Sequence, residues 1–160
     1  MPELTVGYLD AGERYLAALR SIGFDPFGLM WAFDESEGRF VLVLITEFVD
    51  FKGPLEISRL LISAYRHSEM FRVVDPLTIR VHSPKQPFTA EIVRAANSRW
   101  SELEGREDIG RSEIQSITAD DLVLSWKWAY RSTHRKAITD RQRINQRWSF
   151  FQRNVEKLAA

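Results

Sequence analysis

The chain contains no cysteine, which excludes disulfides, thiolate metal sites and cysteine nucleophiles together. A reducing compartment tolerates such a composition well. No apolar run approaches the roughly 20 residues that a membrane span needs. Residues 1–4 also lack the basic and then apolar pattern of a signal peptide. We therefore expect a cytoplasmic protein with no membrane partner.

Ligands for metals and cofactors are also scarce. The three histidines, His67, His82 and His134, fall in different predicted elements and without any ligand spacing. The chain has neither a glycine-rich loop that would cradle a phosphate nor a Gly-x-Ser-x-Gly nucleophile turn. The sequence predicts no metal site and no cofactor.

The composition favours a globular domain. Hydrophobic residues make up 44% and charged residues 28% of 160 positions, which is close to the usual globular mixture. That length suits one domain with a substantial core. Five tryptophans and ten phenylalanines supply large side chains for that core.

The most informative segment is the run from Phe40 to Ile45, which is strand-length and apolar on both faces. Such a run predicts an interior strand that is covered on both sides. The short polar segment 34–38 before it predicts a hairpin with a first strand around Trp31, in which the numbers of facing residues sum to about 73. Trp31 would then face Leu42, and Leu29 would face Leu44.

Periodicity predicts the remaining order as helix, two strands, helix, strand, helix, two strands, helix. The fold class is α/β (α+β), a single domain with a mixed sheet of about five strands and helices packed on it. A crossover helix between the second and third strands predicts that they are parallel neighbours. Charged, glycine-containing residues 101–111 predict a linker or loop.

Local signals predict where three helices begin. Asp10 with Glu13, and Thr139 with Gln142, have the spacing of a capping box. Gly53 followed by Pro54 predicts the start of the second helix, because proline is tolerated at the first helical position.

The end of the chain carries two apolar patterns. Alternation predicts a long last strand with five large side chains on one face: Leu122, Leu124, Trp126, Trp128 and Tyr130. Helical spacing then predicts a final helix with one apolar seam: Ile144, Trp148, Phe151, Val155 and Leu158. We assign residues 1–131 to an α/β core domain and 132–160 to a basic amphipathic helix, packed on that core or on a second protomer.

Charge is unevenly distributed although the net charge is zero. Residues 131–160 hold eight basic and two acidic side chains, which leaves fourteen basic and twenty acidic ones before them. The body is therefore −6 and the tail +6. Either the tail lies on its own acidic body or it faces an anionic partner such as nucleic acid. The candidate phosphate-binding residues are Arg135, Lys136, Arg143 and Arg147.

One pattern has a catalytic interpretation. In the predicted hairpin, Asp25, Glu47, Asp50 and Lys52 fall at the same end of the sheet. Aspartate followed by acid-x-lysine resembles the PD-(D/E)xK nucleases, in which carboxylates hold a divalent cation and lysine assists the attacking water. These four residues are the candidates for a metal-dependent nuclease. Asp50 also suits the N-terminus of a helix, and Lys52 suits a solvated loop.

Three short segments resemble a group of small bacterial α/β proteins without an assigned activity: Trp31-Ala32-Phe33-Asp34, Asp50-Phe51-Lys52-Gly53-Pro54 and Ala129-Tyr130-Arg131. The similarity spans roughly residues 9–83 and the last strand, and it implies a bacterial cytosolic setting. With no convincing catalytic set, we expect a non-catalytic interaction module, either a homodimer or an accessory subunit of a protein encoded in the same operon. Its predicted interface is Trp126, Trp128, Ile144, Trp148, Phe151 and Val155.

Overall fold

The computed structural model describes residues 2–94, 116–131 and 136–160, and the predicted linker at 101–111 lies outside them. The order of elements is the predicted one. In chain order they are α1 (Val6–Ser21), β1 (Gly28–Asp34), β2 (Arg39–Ile45), α2 (Phe48–His67), two 3₁₀ turns (Glu69–Phe71 and Pro76–Thr78), β3 (Ile79–His82), α3 (described over 87–94), β4 (Ser116–Ala119), β5 (Leu122–Arg131) and α4 (Arg141–Ala159).

The five strands form one mixed sheet in the order β3-β2-β1-β5-β4. In the β1–β2 hairpin, Trp31 faces Leu42 and Leu29 faces Leu44, as predicted. β3 lies beside β2 and runs parallel to it, which is also as predicted. β2 is therefore an interior strand, while β1 occupies the middle of the sheet. These observations confirm the α/β class with a single mixed sheet.

Helices cover both faces of the sheet. On one face Leu29, Trp31, Leu42 and Leu44 pack in a core with side chains of α1, α2 and α4. On the other face Met30, Ala32, Val41, Val43 and Ile45 pack with Phe88 and Ile92 of α3. All six residues from Phe40 to Ile45 thus contribute to these two cores, which explains why the run contains nothing polar.

The last strand differs from its prediction, because β5 contains a bulge. Leu124 pairs with Ala32 and Ala129 with Met30, so five steps along β5 match two steps along β1. An odd number of extra residues reverses which face the following side chains occupy. Leu122 and Leu124 consequently lie in the α3-side core, whereas Trp128 and Tyr130 lie on the opposite face. The prediction that the five large side chains of β5 share one face is therefore wrong. The Trp126 side chain is outside the described part.

Two of the three predicted helix starts also need correction. α1 begins one turn earlier than its Asp10–Glu13 pattern indicated, with Thr5 as N-cap accepting from the backbone N–H of Tyr8 at 3.4 Å. The N-cap of α4 is Asp140 rather than Thr139. In α2 a helical turn precedes Gly53, whose φ of +79° kinks the helix before its main segment begins at Pro54.

A tyrosine holds the start of α1 on the sheet. The indole N–H of Trp31 donates to the Tyr130 hydroxyl at 2.9 Å and to the carbonyl oxygen of Tyr8 at 3.0 Å. The Tyr130 hydroxyl in turn donates to the carbonyl oxygen of Leu9 at 2.7 Å. Burial raises the pKa of Tyr130 to about 12, so its hydroxyl stays protonated and able to donate.

The hydroxyl of Tyr15, unlike that of Tyr130, forms no hydrogen bond with a described residue. It is fully buried, and this burial raises the pKa of Tyr15. A buried polar group without a partner carries a desolvation cost of about 1–3 kcal/mol. The ring itself is well placed, edge-on to Phe71 at a centroid distance of 5.7 Å.

We therefore expect Tyr15→Phe to leave the free energy of unfolding unchanged or to raise it by about 1 kcal/mol. Urea denaturation with a constant m-value measures this change. Tyr130→Phe is the matched control, since it removes a bonded hydroxyl and should cost about 1 kcal/mol. A loss of more than about 1 kcal/mol for Tyr15→Phe contradicts the prediction.

Among residues 2–94, 116–131 and 136–160 no helix combines the length and the apolar character that crossing a bilayer requires.

Candidate functional site

The last helix carries the most distinctive surface of the described chain. Asp140 begins it by accepting from the backbone N–H groups of Gln142, at 3.0 Å, and Arg143, at 3.4 Å. Its 19 residues make a rod about 28 Å long. One side of this rod is apolar and buried, and the other side is polar and basic.

The apolar side packs into the chain's own body. Trp148 is 5% exposed and Phe151 is fully buried. The Phe48 ring meets Trp148 edge-on at 5.2 Å, and Phe24 meets Phe151 edge-on at 4.9 Å. The predicted seam residues of α4 are buried, Leu158 only partly. In this structure they pack on the core of the same chain. The seam is covered by α2 and by the segment before β1.

A second contact fixes how α4 is rotated about its axis. The Asn154 side chain donates through Nδ2 to the carbonyl oxygen of Ile22 at 2.9 Å, at the C-terminus of α1. One turn earlier the Phe150 ring lies directly against Gly23, whose φ of +82° ends α1. Because both contacts lie on one flank, the opposite flank and the outer face of α4 are directed to solvent.

The exposed side of α4 is basic between Arg141 and Arg153. From Arg141 to Arg153 the helix holds four arginines and no acidic residue. Arg141, Arg143 and Arg153 are exposed and Arg147 is half-buried. None of the four forms an ion pair with another described residue, whereas five ion pairs occur elsewhere in the described chain. Close pairing with the described part of the acidic body therefore does not account for this charge.

The outer face of α4 is an open, polar surface stripe. Two arginines and four uncharged polar side chains line it: Arg141, Gln142, Asn145, Gln146, Ser149 and Arg153. Arginine binds phosphate oxygens with two parallel hydrogen bonds, and glutamine and asparagine match the donor–acceptor pairs on base edges. We call this stripe the α4 polar face. Its chemistry suits an anionic, hydrogen-bonding polymer.

None of the described nucleic-acid residues that were predicted from the sequence lines this face. Arg143 and Arg147 occupy the flank that also carries Phe150 and Asn154, toward the end of α1. Lys136 is exposed just before the helix, and Arg135 lies outside the described residues. Arg141 and Arg153, which do line this face, were not among those four candidates. Their positions away from the seam on a helical wheel were the available signal.

The four predicted nuclease residues differ in burial and in their recorded partners. Asp25 lies 3.5 Å from the Arg20 guanidinium, in an exposed ion pair. Both carboxylate oxygens of Asp50 accept from the Ser83 hydroxyl at 2.7 Å. Glu47 is buried at the start of α2 and Lys52 is exposed.

The rest of the described chain also contains no cluster of metal ligands. No group of three or more histidine, aspartate or glutamate side chains there is placed to hold an ion. His82 stacks on Phe88 with ring centroids 4.4 Å apart, and its Nδ1 is 2.9 Å from Gln86 Oε1. Burial lowers the pKa of His82, because desolvation disfavours the charged form of the imidazole ring. Nuclease activity stays a prediction, and the described residues contain no group of three possible metal ligands that supports it.

The predicted protein interface is largely internal in this arrangement. Trp128 is 6% exposed, and the four seam residues that were predicted for the interface, Ile144, Trp148, Phe151 and Val155, are 5% exposed or less. They are core residues here and do not form a surface that a partner can reach. Self-association of the chain stays a prediction, and it needs a surface other than this one.

Comparison of the chain with protein-family models, with curated proteins and with solved structures finds no match. The resemblance to small bacterial α/β proteins therefore stays a prediction.

Proposed function

We propose that this chain is a nucleic-acid-binding protein whose contact surface is the exposed side of α4. One observation carries the proposal: Arg141, Arg143 and Arg153 are exposed and form no ion pair with a described residue, while the other side of the same helix is buried. A helix held by its apolar side presents its basic side in a fixed orientation, which reduces the entropy lost on binding.

Phosphodiester is the ligand chemistry that fits best. Arginine forms two parallel hydrogen bonds to phosphate, and a row of such residues along a helix suits a charged backbone better than a single anion. Arg141 and Arg153 are twelve positions apart, so they lie about 18 Å from each other along the helix axis. That distance spans several phosphates of either a duplex or a single strand.

The test is fluorescence anisotropy with a labelled duplex and a labelled single strand, from about 50 to about 300 mM salt. We expect log Kobs to fall linearly with log salt concentration because counterions are released. Arg141→Ala/Arg153→Ala should weaken binding about tenfold or more at low salt and reduce the slope by about two, one for each lost phosphate contact.

The matched control is Arg14→Ala/Arg59→Ala, which removes the same charge from exposed positions on α1 and α2. It should leave both affinity and slope nearly unchanged. Arg143→Ala/Arg147→Ala, on the α1-side flank, measures how far the contact extends around the helix. No binding at about 50 mM salt contradicts the proposal, and an equal loss in the control contradicts its location on α4.

A further inference from the structure

A second surface feature lies where the bulge of β5 meets the N-terminal segment. A pocket of about 340 Å³ opens there, beside the residues that precede α1. This volume is within the range of small-ligand sites, roughly 300–1,000 Å³. Bulges are frequent next to binding sites because they redirect side chains out of the regular sheet pattern.

The floor of this pocket is apolar. Leu4 and Trp128 line it and are 8% and 6% exposed, and Leu9 of α1 lines it as well. The Trp128 ring is held edge-on by Phe40 at a centroid distance of 5.4 Å. A rigid aromatic floor of this kind suits the apolar part of a small ligand.

Three polar side chains complete the lining. Ser125 is buried, and its Oγ accepts from the backbone N–H of Lys127 at 3.4 Å. No described residue accepts the Ser125 hydroxyl proton. Glu3 and Lys127 are exposed, carry opposite charges, and form no ion pair with each other or with another described residue. The pocket thus offers one anion, one cation and one hydroxyl above an apolar floor.

We infer that this pocket binds a free amino acid with an apolar side chain. The ammonium group of the ligand pairs with Glu3, its carboxylate pairs with Lys127 and accepts from Ser125, and its side chain packs on Trp128. A zwitterion matches two opposite charges on one lining better than a simple anion or cation does, because each of those leaves one charge facing its like. This inference is independent of the nucleic-acid proposal, since it uses no residue of α4.

The experiment is a titration of the full chain with L-phenylalanine and L-leucine, followed by amide chemical shifts in ¹H–¹⁵N spectra. We expect saturable shifts at residues 3–9 and 122–130, with weak affinity in the millimolar range or tighter. N-acetyl-L-phenylalanine amide, which keeps the side chain but lacks both charges, should bind at least about fivefold more weakly.

Lys127→Ala and Glu3→Gln should each weaken L-phenylalanine binding about fivefold, and both sites are exposed, so the fold is retained. Lys157→Ala on α4 is the control and should have no effect. Absence of saturation at about 10 mM ligand overturns the inference. Equal binding of the uncharged amide also overturns it, since the pocket would then select only apolar surface. Shifts confined to α4 do so as well.

Discussion

Replacing Phe151 with alanine lowers the free energy of unfolding by about 3–5 kcal/mol, the usual cost of removing a fully buried phenylalanine ring. Phe151 has no exposed surface and contacts the rings of Phe24, Phe48 and Trp148. Alanine leaves a cavity between α4 and α2 that these rings cannot fill without leaving their own contacts. Urea denaturation, analysed at constant m-value, measures the loss.

The neighbouring residue provides the matched control. Phe150 has the same side chain on the same helix but is 52% exposed, so Phe150→Ala should cost about 1 kcal/mol. Equal costs at the two positions contradict the burial of the seam in the chain's own core. The loss should also be independent of protein concentration, whereas a seam covered by a second copy gives a stability that rises with concentration.

Gly12→Ala should destabilise the protein by about 1–3 kcal/mol, although alanine is the better helix former. A Cβ atom at Gly12 would overlap the Tyr130 ring, which cannot withdraw because Trp31 and the Leu9 carbonyl oxygen hold its hydroxyl. The helix must then lift from the sheet or the tyrosine must lose its hydrogen bonds.

A double-mutant cycle separates this clash from other effects. In a Tyr130→Ala background the obstacle is absent, and Gly12→Ala should stabilise the protein by up to about 1 kcal/mol through helix propensity alone. The sign of the Gly12→Ala effect therefore reverses between the two backgrounds. The same sign in both contradicts the assigned contact, and thermal or urea unfolding of the four proteins provides the measurement.

Sequence patterns were reliable where neighbours in the chain are neighbours in the fold. The hairpin register follows from a short turn, and the parallel β2–β3 pair follows from the crossover rule, so both were predicted correctly. The interior position of β2 followed from its unbroken apolar run. Each of these features depends on local chemistry or on a general rule of connection.

The errors lie where a distant contact decides the local structure. Alternation in β5 predicted one aromatic face, but pairing with β1 across about a hundred residues introduces a bulge that sends Trp128 and Leu124 to opposite sides. The apolar seam of α4 was predicted from its helical spacing, but its packing against Phe24 and Phe48 was not. At the candidate site the basic character was predicted, but the contact of one flank of α4 with the end of α1, through Phe150 and Asn154, was not.

The strand order has a consequence for synthesis of the chain on the ribosome. β1 pairs on one side with β2, which follows it immediately, and on the other side with β5. Until residues 122–131 have emerged, the open side of β1 offers unpaired N–H and C=O groups along an apolar strand, which is a template for aggregation. Nascent chains halted before residue 122 should therefore depend on chaperones far more than chains released after it.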